Sequence, residues 1–284
     1  VELENLFMVG DRTFEREHLF PTLIDGRPNP EGARLEEQSR KMGGRSAGKG
    51  RGRRSLYTPS RLDVVERLNE EGLLPAIFFI FSRNGCNEAA ESCFKQGLRL
   101  TSPDERRRIT QIIQSRLGDL EDDDLDVLGY PQFVAQLESG IAAHHAGLVP
   151  PFKETVEACF VEGLVKIVFA TETLAVGINM PARSVVIEKL SKFTGEHHEF
   201  LTAGEFTQLT GRAGRRGLDE KGQAVVLWNP FVTFEQVAVL ASSRSFRLTS
   251  SFRPTYNMAV NLVRPYSSEE ARHLLNLSFA QYQT

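Results

Sequence analysis

Short apolar runs recur along the chain, each followed by polar residues and then by a stretch with helical spacing. Ala76–Phe81, Ile141–His144, Val165–Phe169, Ser184–Ile187 and Ala224–Leu227 are near-continuous runs of strand length, as in strands buried on both faces of a parallel sheet. Between them lie segments with the 3.6-residue period of helices. Ser60 follows Pro59 at the start of one, which presents Leu62, Val65 and Leu68 and closes at Gly72. Others are predicted over Asn87–Phe94, Arg106–Leu117, Phe133–Leu137, Pro150–Glu162, Phe206–Gly211 and Met258–Val263. Strands alternating with helices predict an α/β fold with right-handed crossovers. Between Glu188 and Gly204, apolar and aromatic positions flank Thr194-Gly195, which predicts a β-hairpin.

Two segments break the pattern. From Asp25 to Ser55 there is almost no large apolar residue, and Arg40–Arg54 holds seven Lys/Arg, five glycines and no acid. Such a stretch cannot offset its ordering entropy, so disorder is expected. It reads equally as a solvated linker and as a sequence-independent RNA tether acting through counterion release. The acidic run Asp119–Asp126 reads most simply as a solvated helix end or loop.

Forty per cent apolar residues over 284 positions are enough for one α/β domain with attachments. The net charge of −3 does not by itself decide for or against nucleic acid. Cys86, Cys93 and Cys159 lack CxxC spacing, so they read as small buried hydrophobes, and a reducing cytoplasm is the expected setting. No run reaches the ~18 apolar residues of a membrane span.

The chemistry concentrates at the ends of the apolar runs. Gln208-Leu-Thr-Gly-Arg-Ala-Gly-Arg-Arg-Gly217 places Arg212 and Arg215 three residues apart between glycines, a spacing that predicts one face of a helical turn. Their planar forks suit phosphate oxygens. Val168–Pro181 follows its strand with Thr171 and Thr173, then Gly177 and Asn179 in a permissive turn; Ala76–Phe81 ends in Ser82 and Arg83. Beyond strand ends is where open α/β sheets bind ligands. Gly43–Gly50 nearly spells a phosphate loop but has Gly50 where the hydroxyl belongs, no strand before it and no helix after it.

In this order, FIFSR, HHAGL, FATETLAVGINMP and QLTGRAGRRG resemble the second RecA-like domain of superfamily 2 helicases. HHAGL, GRAGRRGLDEKG and LTSSFRPTYNMAVNLVR are similar to DExH RNA helicases of the superkiller and exosome-helicase type, actinobacterial HelY-like members in particular. The resemblance implies a RecA-like parallel sheet flanked by helices, with a basic insert and a C-terminal helical extension. It implies lead-in strands over 1–24, a disordered insert over 25–60, the motor domain over 61–230, and a connection over 231–284 towards a winged-helix domain. ATP and Mg²⁺ are then held mainly by a first RecA-like domain outside this chain, which has no DExH box. Arg212 and Arg215 become arginine fingers, and Gln208, Gly177 and Asn179 nucleotide contacts. Ser82, Arg83, His145, Gly147, Thr171 and Thr173 become contacts to the backbone of single-stranded RNA or an overhang. A strand-separating role for the hairpin and a purely structural one stand side by side. A nuclease of RNA decay is a further partner in keeping with the type. A DNA helicase and a non-catalytic nucleic-acid-binding module are the alternatives.

Overall fold

A computed structural model describes residues 1–44, 56–118, 128–175, 180–193, 196–243, 252–278 and 281. The acidic run, Gly177, Asn179, the hairpin turn Thr194-Gly195 and most of the basic tract lie outside the described residues. Two compact units follow from the contacts, Val1–Ser243 and Arg244–Thr284.

In the first unit, strands β1 (Glu2–Asp11), β2 (Arg16–Pro21), β3 (Leu23–Ile24) and β4 (Arg27–Pro28) lead to helix α1 (Pro30–Gly44). Then come β5 (Leu56–Tyr57), α2 (Arg61–Glu70), β6 (Ala76–Phe79), α3 (Arg83–Lys95), α4 (Pro103–Leu117) and α5 (Tyr130–Glu138). The chain continues through β7 (Ile141–His144), α6 (Pro150–Val161), β8 (Ile167–Ala170), a 3-10 turn (Glu172–Ala175) and β9 (Ser184–Ile187). It ends with β10 (Ser191–Phe193), β11 (His198–Phe200), α7 (Ala203–Thr210), β12 (Lys221–Leu227) and α8 (Phe234–Ser242). The second unit holds α9 (Tyr256–Val263) and α10 (Ser268–Asn276). Helix starts follow side-chain chemistry: Ser60, Ser102, Thr202 and Thr233 each form a reciprocal capping box.

The central sheet runs β2-β1-β12-β9-β6-β8-β7, with β5 pairing β1. β1, β12, β9, β6, β8 and β7 are mutually parallel; β2 and β5 run antiparallel at the β1 edge. The runs are apolar throughout because both faces are covered. Ile77, Phe79, Val168, Val185 and Val226 point into one core with Ile109, Val156, Phe206 and Phe234 from α4, α6, α7 and α8. Ala76, Phe78, Ile167, Phe169, Val186 and Val225 point into the other with Val65, Leu68, Ala89 and Cys93 from α2 and α3. Period-2 alternation thus divides each strand between two cores, and burying each large side chain contributes about 1.5–3 kcal/mol. The three cysteines are buried, and burial pushes the thiols of Cys86, Cys93 and Cys159 up to about 12, 11 and 12. Among the described residues no helix is long and apolar enough to cross a membrane.

Two expectations change. The insert is not disordered from its start: α1 packs Leu35 into the core, Gly32 lies against the Phe234 ring, and Glu36 accepts from the Phe234 amide at 2.6 Å. The missing apolar surface is supplied from far along the chain, where Phe234 completes an aromatic cluster with Phe7 and Phe20. The unit boundary also falls after Ser243 rather than at 230, because Phe234, Val237 and Leu240 of α8 belong to the main core.

Candidate functional site

Register-matched strands gather the first group of residues. Phe79 pairs with Ala170, and Ala170 with His144, so β6, β8 and β7 end at one edge of the sheet. Ser82 and Arg83 follow β6 there, Thr171 and Thr173 follow β8, and His145 and Gly147 follow β7. Ser82 caps α3, its Oγ accepting from the Gly85 amide at 3.1 Å, and both Ser82 and Arg83 are exposed. A capped helix start carrying a hydroxyl and a guanidinium suits a phosphate. The Thr171 and Thr173 hydroxyls lie 2.9 Å apart, with Thr171 buried and Thr173 exposed.

His145 is buried where Gly147, two residues on, is exposed. It is 4% exposed; its Nδ1 accepts from the Gly147 amide at 3.1 Å, so Nε2 carries the proton and donates to Asn87 Oδ1 at 2.9 Å. Burial, with Arg83 and His144 adding to it, holds the ring's pKa below the ordinary histidine value. With both nitrogens engaged within the domain, His145 braces the turn that presents Gly147. A Cβ at Gly147 would sit 3.1 Å from His145 Nδ1.

The arginines lie elsewhere. β9 and β12 are joined at their amino ends, where Ala182 bridges Ala213: the Ala182 amide donates to Arg212 O at 2.9 Å and the Gly214 amide to Ala182 O at 2.7 Å. α7 closes at Gly211 and Gly214 turns left-handed at φ +90°. Arg212 and Arg215 therefore sit on a loop of successive turns, on either side of Gly214, and not on one face of a helical turn. β12 passes so close that a Cβ at Gly222 would lie 2.5 Å from the Ala213 carbonyl. The Arg212 guanidinium donates to Ala175 O, tying the loop to the segment that carries Thr171 and Thr173. Arg215 forms a fork with Asp219, Nε to Oδ2 and Nη2 to Oδ1 both at 2.9 Å, while its amide donates to Oδ2 at 2.9 Å. The Asp219 side chain is 3% exposed with Arg183 3.8 Å away, and the Arg215 bonds hold its carboxyl below the usual range. Asp219 stands within the arginine-rich segment, but nothing in the spacing marked it as the partner.

Gln208, exposed on α7, joins Thr173 in an open cleft of ≈ 530 Å³ lined also by Glu172, Ala175, Lys192, Glu205 and Leu209. The cleft spans from the strand-end group to the helix that runs into the arginine loop. The hairpin forms as expected, Lys192 opposite Glu199 and Phe193 opposite His198.

Residues 106–217 match the helicase conserved C-terminal domain. The chain belongs to the superfamily 2 DExH helicases and forms a C-terminal RecA-like domain. Probable helicase HelY of Mycobacterium tuberculosis is 57% identical over 236 residues, 83% of this chain and 26% of that protein. Antiviral helicase SKI2 of Saccharomyces cerevisiae is 37% identical over 223 residues (77% of this chain, 17% of that protein). Exosome RNA helicase MTR4 of Homo sapiens is 35% identical over 220 residues (78% and 21%). The chain thus spans about a quarter or less of the length of these relatives.

Proposed function

We propose that this chain is the C-terminal motor domain of an ATP-dependent RNA helicase moving 3′ to 5′. The observation that carries the reading is the shared edge of β6, β8 and β7, which gathers Ser82, Arg83, Gly147 and Thr173 as donors to a nucleic-acid backbone. Contacts of that kind hold a strand without reading its sequence, which suits a translocase. Arg212 and Arg215 act as arginine fingers on ATP held by a first RecA-like domain, with Gln208, Gly177 and Asn179 beside the nucleotide. Their charge opposes the negative charge that develops during phosphoryl transfer. Because Arg212 is bonded to Ala175, a shift of the loop on hydrolysis is passed to the strand-contact segment. Among the described residues no group of three His, Cys, Asp or Glu side chains would hold Mg²⁺. A winged-helix domain and an RNA-decay nuclease complete the assembly.

The test uses the full-length protein with ATP and RNA or DNA duplexes carrying 3′ or 5′ overhangs. RNA-stimulated hydrolysis and unwinding from the 3′ overhang are expected, while the 284-residue chain alone hydrolyses no ATP. Equal stimulation by DNA would favour the DNA-helicase reading, and binding without hydrolysis the non-catalytic one.

A further inference from the structure

Lys192 lies on the hairpin face opposite Phe193 and His198 and reaches back to the body of the domain. Its Nζ donates to Glu172 Oε2 at 3.1 Å and to Glu205 Oε1 at 2.5 Å. Glu172 sits between Thr171 and Thr173. Glu205 is the capping-box residue of α7, its other oxygen accepting from the Thr202 amide and hydroxyl, both at 2.8 Å. The same helix carries Gln208 and runs directly into the arginine loop. One ammonium, with its side chain 21% exposed, therefore joins three elements that the chain connects only through longer paths.

An isolated surface ion pair would contribute little, about 0–1 kcal/mol. Lys192 differs because both carboxylates are fixed by other elements: Glu205 by its helix start, Glu172 by the 3-10 turn. Movement of α7 relative to the threonine segment changes the distance between those carboxylates, and the hairpin must follow the ammonium between them. Phe193, 59% exposed on the opposite face, is the ring so displaced.

We propose that Lys192 is a positioning residue that couples the hairpin to both the strand-contact segment and the nucleotide-facing helix, so that motion during ATP turnover is delivered to the nucleic acid through the hairpin. The coupling rests on the helicase reading above; the tether itself does not. The experiment compares full-length wild type with Lys192→Met, which keeps the stem and removes the charge, and Lys192→Arg, which keeps it. Hydrogen exchange is followed at the amides of 191–193 and 198–200 without ligand, and unwinding of a 3′-overhang RNA duplex is measured per ATP hydrolysed. In Lys192→Met, exchange of the hairpin is expected to rise about tenfold, the result of losing roughly one coupling contact. Base pairs opened per ATP fall by about the same factor. Lys192→Arg stays near wild type, and the swap Lys192→Glu with Glu172→Lys recovers part of the ratio. Unchanged hairpin exchange in Lys192→Met would overturn the tether. Faster exchange with an unchanged ratio of unwinding to hydrolysis would overturn the coupling. A full-length protein without RNA-stimulated hydrolysis overturns the functional reading and the coupling together, while the exchange rates still decide the tether.

Discussion

Arg215→Ala separates the structural role of the side chain, its fork with Asp219, from the catalytic role proposed for it. It removes two charge-assisted bonds to Asp219, each at 2.9 Å, and leaves that carboxylate, 3% exposed, with the Arg215 amide and Arg183 at 3.8 Å. Losing a partner of a buried charged acceptor costs about 1.5–3 kcal/mol, or a fall in Tm of roughly 5–10 °C for a domain of this size. The sign in pH follows from Asp219. Its carboxyl pKa is held below the ordinary 3.8, so the stabilisation is full above 3.8 and lost as pH falls through the lower folded value. The gap between variant and wild type is therefore present at neutral pH and closes in acid. If the guanidinium also meets the transferring phosphoryl group, kcat falls by roughly 10³–10⁵, or about 4–7 kcal/mol of barrier. That exceeds the folding loss, and assays run well below the lowered Tm keep the two apart. Lysine restores a charge for Asp219 but not the fork, so it recovers stability better than turnover. The assay is steady-state ATP hydrolysis by the full-length protein at saturating RNA, with RNA affinity measured without nucleotide. Near-normal turnover in Arg215→Ala together with lost RNA affinity would refute the assignment and move the loop to the strand-binding surface.

Thr173→Ala should act in reverse, weakening RNA binding about 2–10-fold, as for one neutral hydrogen bond, and lowering RNA-stimulated hydrolysis more than the basal rate; equal losses in both rates would count against it. Gly222→Ala drives a methyl group into the Ala213 carbonyl and should cost about 1–3 kcal/mol, read as a fall in Tm, with ATP turnover dropping as the arginine loop shifts. Leu35→Ala tests the packing of α1: burial in the core beside Phe234 predicts a loss of about 2 kcal/mol in denaturant unfolding, whereas a solvated insert predicts none.

Where local chemistry suffices, the sequence determined the outcome. Runs such as Ala76–Phe79 and Ile167–Ala170 are strands because apolar side chains on both faces of the backbone can be buried only between two layers of helices. Ser60, Ser102 and Thr202 set helix starts because their hydroxyls satisfy amides three residues on. The order of the motifs marked the strand ends, and Thr173, Ser82 and Arg83 emerge exposed at one edge. Partners distant in sequence were decided by tertiary structure alone. α1 is ordered by Phe234, some two hundred positions away, and His145 is withdrawn from the surface by Asn87 on another helix. The helical spacing of Arg212 and Arg215 is undone by Gly214 and by the bridge to Ala182, and Lys192 finds its carboxylates on two other elements. Periodicity and capping act within a few residues and are legible in the chain. The placement of a charge or ring against another depends on how the sheet orders its strands, and that order comes from packing the whole core at once.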